Sequence, residues 1–358
     1  MARTGDAMNG RVAIVTGAGR GIGAATVLQL AEAGWSVLAV DLGISDPDLP
    51  YPLSTAAELD AVVAEANRRS VEAHRESRRA VESLSGAESR GRRAKQHSHR
   101  AVRSLTGVFR PKLYAHAGKR VRDVSAPRDL LFAEPGESAA EQLGSPLAQV
   151  ESSADQEHAV RAWFADVRDP TALIEAVAFA EAEWGGLDAA VAAAGVIAGG
   201  VPLWEMPVVQ ERAVLDVCLG GVVNLARAAV PALLRRPEPR SGRFLAVASA
   251  AATKGLPMLA VYCAAKAGVT GLVRSLGVEL GGTGVTANAV SPGSTDTALL
   301  TETARLYGLA DAKGFAAQQP IGRLLDAAEI AAVLVFLAGP GGNAVMGTTL
   351  AVDGGLAL

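Results

Sequence analysis

The stretch Arg11-Val-Ala-Ile-Val-Thr-Gly-Ala-Gly-Arg-Gly-Ile-Gly23 decides the fold. Arg11 to Thr16 is a short apolar run ending at a glycine, the pattern of a strand buried in a parallel sheet. Ile22 to Ala33 has helical spacing and stops at Gly34. The joining loop carries Gly17, Gly19, Arg20, Gly21, Ile22 and Gly23, spaced G-x-x-x-G-x-G from Gly17. Gly17 permits a tight turn, Gly21 lets backbone approach a pyrophosphate, and Gly23 allows close helix–strand packing. The helix N-terminus then faces the anion. Trp35 to Val40 reads as the next strand, closed by Asp41 and Leu42. A carboxylate at that point can accept hydrogen bonds from an adenosine ribose and repels a 2′-phosphate, which favours NAD over NADP. Arg20 is a counter-signal, since a cation could serve that phosphate.

Further along, strands and helices alternate. Ala162 to Ala165 reads as a strand leading into Asp166 and Val167, and Pro170 opens a helix to Trp184. Leu187 to Ala194 is a strand, Val208 to Leu234 a long helix, Phe244 to Ala248 a strand and Ala260 to Leu280 a helix. Val285 to Val290, Ala327 to Ala338 and Thr348 to Val352 continue as strand, helix and strand. The class this predicts is α/β: a three-layer, Rossmann-type doubly wound parallel sheet with a largely helical insertion after the second strand.

Composition bounds the function. Of 358 residues 49 % are hydrophobic and 20 % charged, enough for a large core and too apolar for a disordered chain. A net charge of −3 gives no global case for nucleic acid or membrane binding. Cys218 and Cys263 are the only cysteines, too few for a disulfide scaffold or a multi-thiolate zinc site. Residues 1–11 lack a signal-peptide pattern. The charge-free run 330–352 is broken by Gly339-Pro-Gly-Gly-Asn343, and so reads as helix, turn and strand rather than a membrane span. A cytoplasmic protein is expected.

Charge is unevenly placed. Residues 68–128 hold 17 of the 34 basic residues against five acidic ones, and all five histidines fall in this stretch or just beyond it. Removing 43–158 leaves roughly 240 residues, a normal length for one α/β domain. The chain is therefore expected to be a single α/β domain over 1–358, with a core of 1–42 and 159–358. The insertion 43–158 would be helical and basic in 59–128 and mobile near 138–156. Positions 59, 63, 66, 70, 73, 77, 80 and 84 follow a heptad, but their small and polar residues argue against a strong coiled coil. Its basic face could dock an acidic carrier, partner or membrane surface; the plainer reading is a solvated helix packed on its own subunit. No metal site is assigned to His97 and His99, and no aromatic stacking pattern points to nucleic acid.

The chemistry-bearing residues are Ser249, Tyr262 and Lys266. Tyr262-Cys-Ala-Ala-Lys266 puts phenol and ammonium on one helix face. A phenol with its ordinary pKa near 10 carries protons poorly at neutral pH. A neighbouring ammonium and a cationic nicotinamide favour its phenolate form. Ser249 ends the preceding strand, where its hydroxyl can bond a substrate oxygen.

Together these residues resemble the short-chain dehydrogenase/reductase superfamily, which carries T-G-x-x-x-G-x-G, a strand-end Ser and Y-x-x-x-K in this order. Asp166 and Val167 match its adenine-contacting aspartate, and Pro292-Gly-Ser-Thr-Asp-Thr297 its nicotinamide loop. The resemblance implies hydride transfer between an alcohol carbon and nicotinamide C4. Tyr262 would be the base, Lys266 its tuner and ribose ligand, and Ser249 the oxygen anchor. Gly17, Gly19, Arg20, Gly21, Ile22, Gly23, Asp41, Leu42, Asp166, Val167, Ala194, Gly195, Tyr262, Lys266, Pro292, Gly293, Thr295 and Thr297 would hold NAD(H). Tyr51-Pro-Leu-Ser-Thr-Ala-Ala-Glu-Leu-Asp60 and Val191-Ala-Ala-Ala-Gly-Val-Ile-Ala-Gly-Gly200 also resemble the subgroup associated with mycofactocin. That likeness implies a non-exchangeable NAD and mycofactocin as external electron carrier. A homo-oligomer (tetramer or dimer) is also expected, and the basic insertion could meet a redox partner.

Two positions depart from the family. Its N-N-A-G is Ala192-Ala-Ala-Gly195 here, and its helix asparagine, part of a proton relay, aligns with Cys218. An apolar lid is expected from Leu299, Leu300, Leu306, Tyr307 and Phe315, with Trp204 and Met206 either joining it or packing elsewhere. Such a lining suits an apolar secondary alcohol. The rival readings are an NADP-linked carbonyl reductase, opposed by Asp41, and a non-catalytic nucleotide sensor, opposed by Tyr262 and Lys266.

Overall fold

Seven short apolar runs pair into one all-parallel sheet in the order β3-β2-β1-β4-β5-β6-β7. These strands are β1 (Val12–Thr16), β2 (Ser36–Asp41), β3 (Val160–Phe164), β4 (Ala189–Ala192), β5 (Arg243–Val247), β6 (Thr286–Pro292) and β7 (Thr349–Val352). The computed structural model describes residues 10–79 and 159–358. By its contacts the chain divides into Met1–His74 with Glu157–Leu358, and Arg75–Gln156. Of the second unit only 75–79 are described, and they are helical.

Side-chain alternation along β1 builds both halves of the core. Val12 and Ile14 pack on one face with Leu173, Val177, Leu225, Val269 and Val273, from α3 (Pro170–Trp184), α5 (Gly221–Arg235) and α6 (Ala260–Glu279). Ala13 and Val15 pack on the other with Val27, Leu30, Ile330 and Leu334, from α1 (Gly21–Glu32) and α8 (Ala327–Ala338). The three-layer doubly wound α/β fold expected from the alternation is the one observed. Helix ends follow local chemistry: Asp169 accepts hydrogen bonds from the Thr171 and Ala172 amides, Pro170 takes the first turn, and Gly185 closes α3 at φ 78°.

Strand order reverses at β1, which pairs with β2 from Val12↔Ser36 to Thr16↔Val40 and with β4 from Ala13↔Ala189 to Thr16↔Ala192. Parallel strands ending level bring the chain after β1, β2 and β4 to one crevice, the usual ligand position in such sheets.

One local expectation changes. The long helix after β4 is α4 (Val208–Leu215), then a wide π-type turn at Asp216–Gly220, then α5. The wide turn aims Cys218 inward, where it is fully buried. By length and composition Val208–Arg235 could cross a membrane, but its apolar side, including Val214, Val222, Leu225, Ala229 and Leu233, is buried in the core. Residues 330–352 form the expected helix, turn and strand.

The heptad segment is a helix over 56–79, designated α2. Leu59 and Ala66 are fully buried against the α1 side of the sheet. Asn67 satisfies the edge strand, accepting from the Val160 amide at 2.8 Å and donating to its carbonyl at 3.1 Å. Residues 43–74 thus belong to the same unit as the sheet. The rest of the basic stretch, the helix expected near 94–105, His97, His99 and the linker 138–156 lie outside the described residues.

The glycine loop is held by backbone contact that leaves no room for a methyl group. A Cβ on Gly23 would lie 2.0 Å from the Gly17 carbonyl oxygen. Gly23→Ala is expected to lower unfolding stability by roughly 1–3 kcal/mol, read by denaturant titration, and to weaken nucleotide binding.

Candidate active site

One cleft of about 600 Å³ opens at the strand-order reversal. Its lining includes every residue expected from the sequence to hold a nucleotide or do chemistry, with one exception, Gly19. The Gly19 amide instead donates to Asp41 Oδ2 at 2.8 Å, turning that glycine away from the cleft. Gly17, at φ +69°, abuts the backbone of Ala194, 2.7 Å from where a Cβ would stand. Thr16 Oγ1 accepts from the Ala193 and Ala194 amides at 3.3 and 3.4 Å. A hydroxyl from β1 thus ties down the post-β4 loop that has no asparagine side chain of its own.

The N-terminus of α1 is free for an external anion. No side chain caps it, and no acidic residue occupies its first turn. Arg20 donates to the Pro52 carbonyl at 3.1 Å. Asp41, 7 % exposed, is also hydrogen-bonded by the Ser54 hydroxyl and by the Gly43 amide at 3.4 Å. Beyond β3 Arg168 grips Asp166 through Nε at 2.9 Å and donates to the buried Asp46 at 2.8 Å. Burial works against the Asp166 anion, but the Arg168 hydrogen bonds prevail and hold its carboxyl below the usual range.

The segment after β2 is therefore a wall of the cleft. Asp46, Leu53 and Ser54 line it, and the Tyr51 hydroxyl accepts from the Ile197 amide at 2.9 Å. None of these four was singled out as a site residue from the sequence. No motif marks them, because their partners are 13 to 146 positions away. Gln319 is a further miss. It is 2 % exposed and holds the Pro292–Thr297 loop by accepting from the Ser294 amide at 2.9 Å and donating to its carbonyl at 3.2 Å.

Ser249, Tyr262 and Lys266 converge at the other end. Ser249 leaves β5 as the cap of a short turn, its Oγ accepting from the Ala251 amide at 3.1 Å. Lys266, 3 % exposed, donates from Nζ to the Val247 carbonyl at 2.7 Å and lies 5.8 Å from the Tyr262 ring centre. Burial pushes the Tyr262 phenol above its ordinary value, while its hydrogen bond with Ser249 pulls the other way. Burial pulls the Lys266 ammonium down. Within the chain alone, then, desolvation outweighs the tuning expected from the Y-x-x-x-K spacing.

Cys218 occupies both hydrogen-bonding groups of one residue's backbone, accepting from the Val196 amide at 3.4 Å and donating to the Val196 carbonyl at 3.1 Å. Gly195 sits beside both this sulfur and Lys266, since an added Cβ there would lie 3.9 Å from Sγ and 3.7 Å from Nζ. The thiol anchors the loop next to the lysine.

Of the expected lid, Leu299, Leu300, Tyr307 and Phe315 line the cleft and Leu306 does not. These side chains come from α7 (Ala298–Leu306) and the chain after it. Trp204 and Met206 also stand outside the lining, and Trp204 is 84 % exposed. The turn at Leu203–Glu205 carries them away from the strand ends.

Two family profiles match the chain: the one described as Enoyl-(Acyl carrier protein) reductase over residues 137–357, and short chain dehydrogenase over residues 11–84. A cis-4-hydroxycyclohexanecarboxylate dehydrogenase of Sinomonas cyclohexanicum is 39 % identical over 192 residues, 53 % of this chain and 74 % of the relative. An uncharacterized NAD-dependent oxidoreductase of Mycobacterium tuberculosis is 32 % identical over 264 residues, 70 % of this chain and 93 % of its own. Carveol dehydrogenase from Mycobacterium avium, solved with NAD, shares the fold at a TM-score of 0.68 and 24 % identity, covering 98 % of each chain. With the glycine loop, the strand-end serine and the tyrosine–lysine pair in one cleft, the chain belongs to the short-chain dehydrogenase/reductase superfamily of oxidoreductases.

Proposed function

We propose that this protein is an NAD-dependent dehydrogenase that interconverts a secondary alcohol and a ketone. The observation carrying this reading is a single cleft that runs from the Asp41 carboxylate to Ser249, Tyr262 and Lys266. The uncapped α1 N-terminus and the close-packed glycines fit a pyrophosphate, and Asp41 and Leu42 stand where an adenosine ribose would lie. Asp166 and Val167 take the adenine side, Ala194 and Gly195 the middle, and Pro292, Gly293, Thr295 and Thr297 the nicotinamide. When bound, NAD supplies the carbon that accepts hydride. Ser249 orients the substrate oxygen, Tyr262 exchanges its proton, and Lys266 supports the phenolate and a ribose hydroxyl.

An NADP-linked reductase is the weaker reading. Asp41 is a buried carboxylate, and Arg20, the cation available to a 2′-phosphate, is spent on Pro52. A non-catalytic sensor would have no need of the assembled tyrosine–lysine pair. The relatives named for NAD and for a hydroxycyclohexane substrate favour the alcohol reading.

The finer proposal is that NAD(H) is retained and reoxidised by mycofactocin, the basic insertion meeting the redox partner of a cytoplasmic homo-oligomer. What supports the retention is the wall after β2, tied to the cleft through Pro52, Ser54, Asp46 and Tyr51. Spectra and mass analysis of the purified protein test this: retained nicotinamide is expected, and nucleotide-free protein turning over freely with added NAD would remove it. Tyr51→Phe leaves the Ile197 amide unpaired and should speed nucleotide release about fivefold, the equivalent of ~1 kcal/mol, measured by dialysis.

Tyr262→Phe should lower alcohol oxidation by roughly 10²–10⁴-fold while nucleotide remains bound, whereas Cys218→Asn should retain or raise it. An active Tyr262→Phe enzyme would sink the mechanism. Because burial raises the phenol, its phenolate form grows in as pH rises. Oxidation should therefore climb through the alkaline range while ketone reduction falls, as read from paired pH–rate profiles.

A further inference from the structure

The cleft changes character along its length. Arg20, Asp41, Asp46, Asp166 and Arg168 line the nucleotide end, and Lys266 lies beside Tyr262. Beyond Ser249 the walls are Leu256, Leu299, Leu300, Leu309, Phe315 and Leu356. The polar groups there are uncharged: the Thr303 hydroxyl, which donates to the Leu299 carbonyl at 2.8 Å, the Gln318 amide and the Tyr307 phenol.

Nearby cations among the described residues are already engaged by protein acceptors. Arg305 is bonded to Glu302 at 2.6 and 2.8 Å, and Lys254 donates to the Leu356 carbonyl at 2.9 Å. Lys313 is exposed and outside the lining.

Tyr307 closes this end. Its hydroxyl donates to the Pro257 carbonyl at 2.7 Å, and its ring meets Phe315 edge-on with centroids 6.1 Å apart. The next carbonyl, that of Met258, accepts from the Gly200 amide at 3.1 Å. Met258 has φ 58°, the one non-glycine positive φ among the described residues. A strained residue between two carbonyls that both bind the surrounding wall marks a backbone held for position.

We infer that this end selects uncharged alcohols and ketones and excludes carboxylates, with Tyr307 the specificity-determining residue that closes it. The inference rests on the alcohol–ketone reading for the place of the reacting oxygen. A carboxylate entering here would shed its hydration, and among the described residues no cation lines this end to receive it. That separates this site from the Sinomonas relative, whose name specifies a carboxylate.

The test compares 4-methylcyclohexanone with 4-oxocyclohexanecarboxylate, rings of similar size, on the purified protein with its nucleotide bound. Binding is read by calorimetry, and turnover by nucleotide absorbance. The neutral ring should bind roughly 100-fold more tightly. Leu309→Arg, at a partly exposed wall position, should narrow that ratio at least about tenfold. Tyr307→Phe keeps the ring but frees the Pro257 carbonyl, and should weaken the neutral ligand about fivefold without rescuing the carboxylate. Equal wild-type binding of the two ketones, or an unchanged ratio in Leu309→Arg, overturns the inference. Selective binding of the neutral ring without turnover would uphold the charge rule and remove the hydride-transfer reading instead.

Discussion

Much of this structure depends on one buried carboxylate. Asp41 ends β2 and gathers the Gly19 amide, the Gly43 amide and the Ser54 hydroxyl. Taking a carboxylate out of water costs several kcal/mol unless donors replace the lost hydration. Satisfying it draws the glycine loop and the chain after β2 onto the same strand end. The shape of the glycine loop and the wall that faces it are therefore two consequences of one desolvated charge.

The chemical end obeys the same constraint with the opposite sign. Lys266 is a buried cation whose nearest acceptor is the neutral carbonyl of Val247, and Tyr262 is a buried phenol beside it. Burial favours the neutral form of each. On the proposed reading, a bound cationic nicotinamide is what would favour phenolate, and it would couple proton transfer to occupancy of the cleft. Ser249, already lowering the phenol, belongs to the chain, so part of the tuning is built in.

Cys218 shows how a substitution can keep geometry while changing chemistry. A thiol is a weak hydrogen-bonding group, yet the wide turn at Asp216–Gly220 places it on both the amide and the carbonyl of Val196. Thr16 does comparable service for the neighbouring loop, accepting from the Ala193 and Ala194 amides. At Cys218 the local backbone placement compensates for the weaker polarity of the side chain.

The sequence by itself determined the sheet, the glycine loop, Asp41 and the tyrosine–lysine pair. Each is written in short-range spacing: apolar runs of four to seven, glycines at fixed offsets, and a four-residue helical step. Gly19 was legible as part of the loop but not as the donor to Asp41, and Trp204 was legible as apolar but not as exposed. Tyr51, Ser54, Asp46 and Gln319 became site residues only through tertiary structure. Their partners are Ile197, Asp41, Arg168 and Ser294. A polar side chain carries no mark of its partner until packing removes water from both, and desolvation, unlike periodicity, is a property of the folded whole.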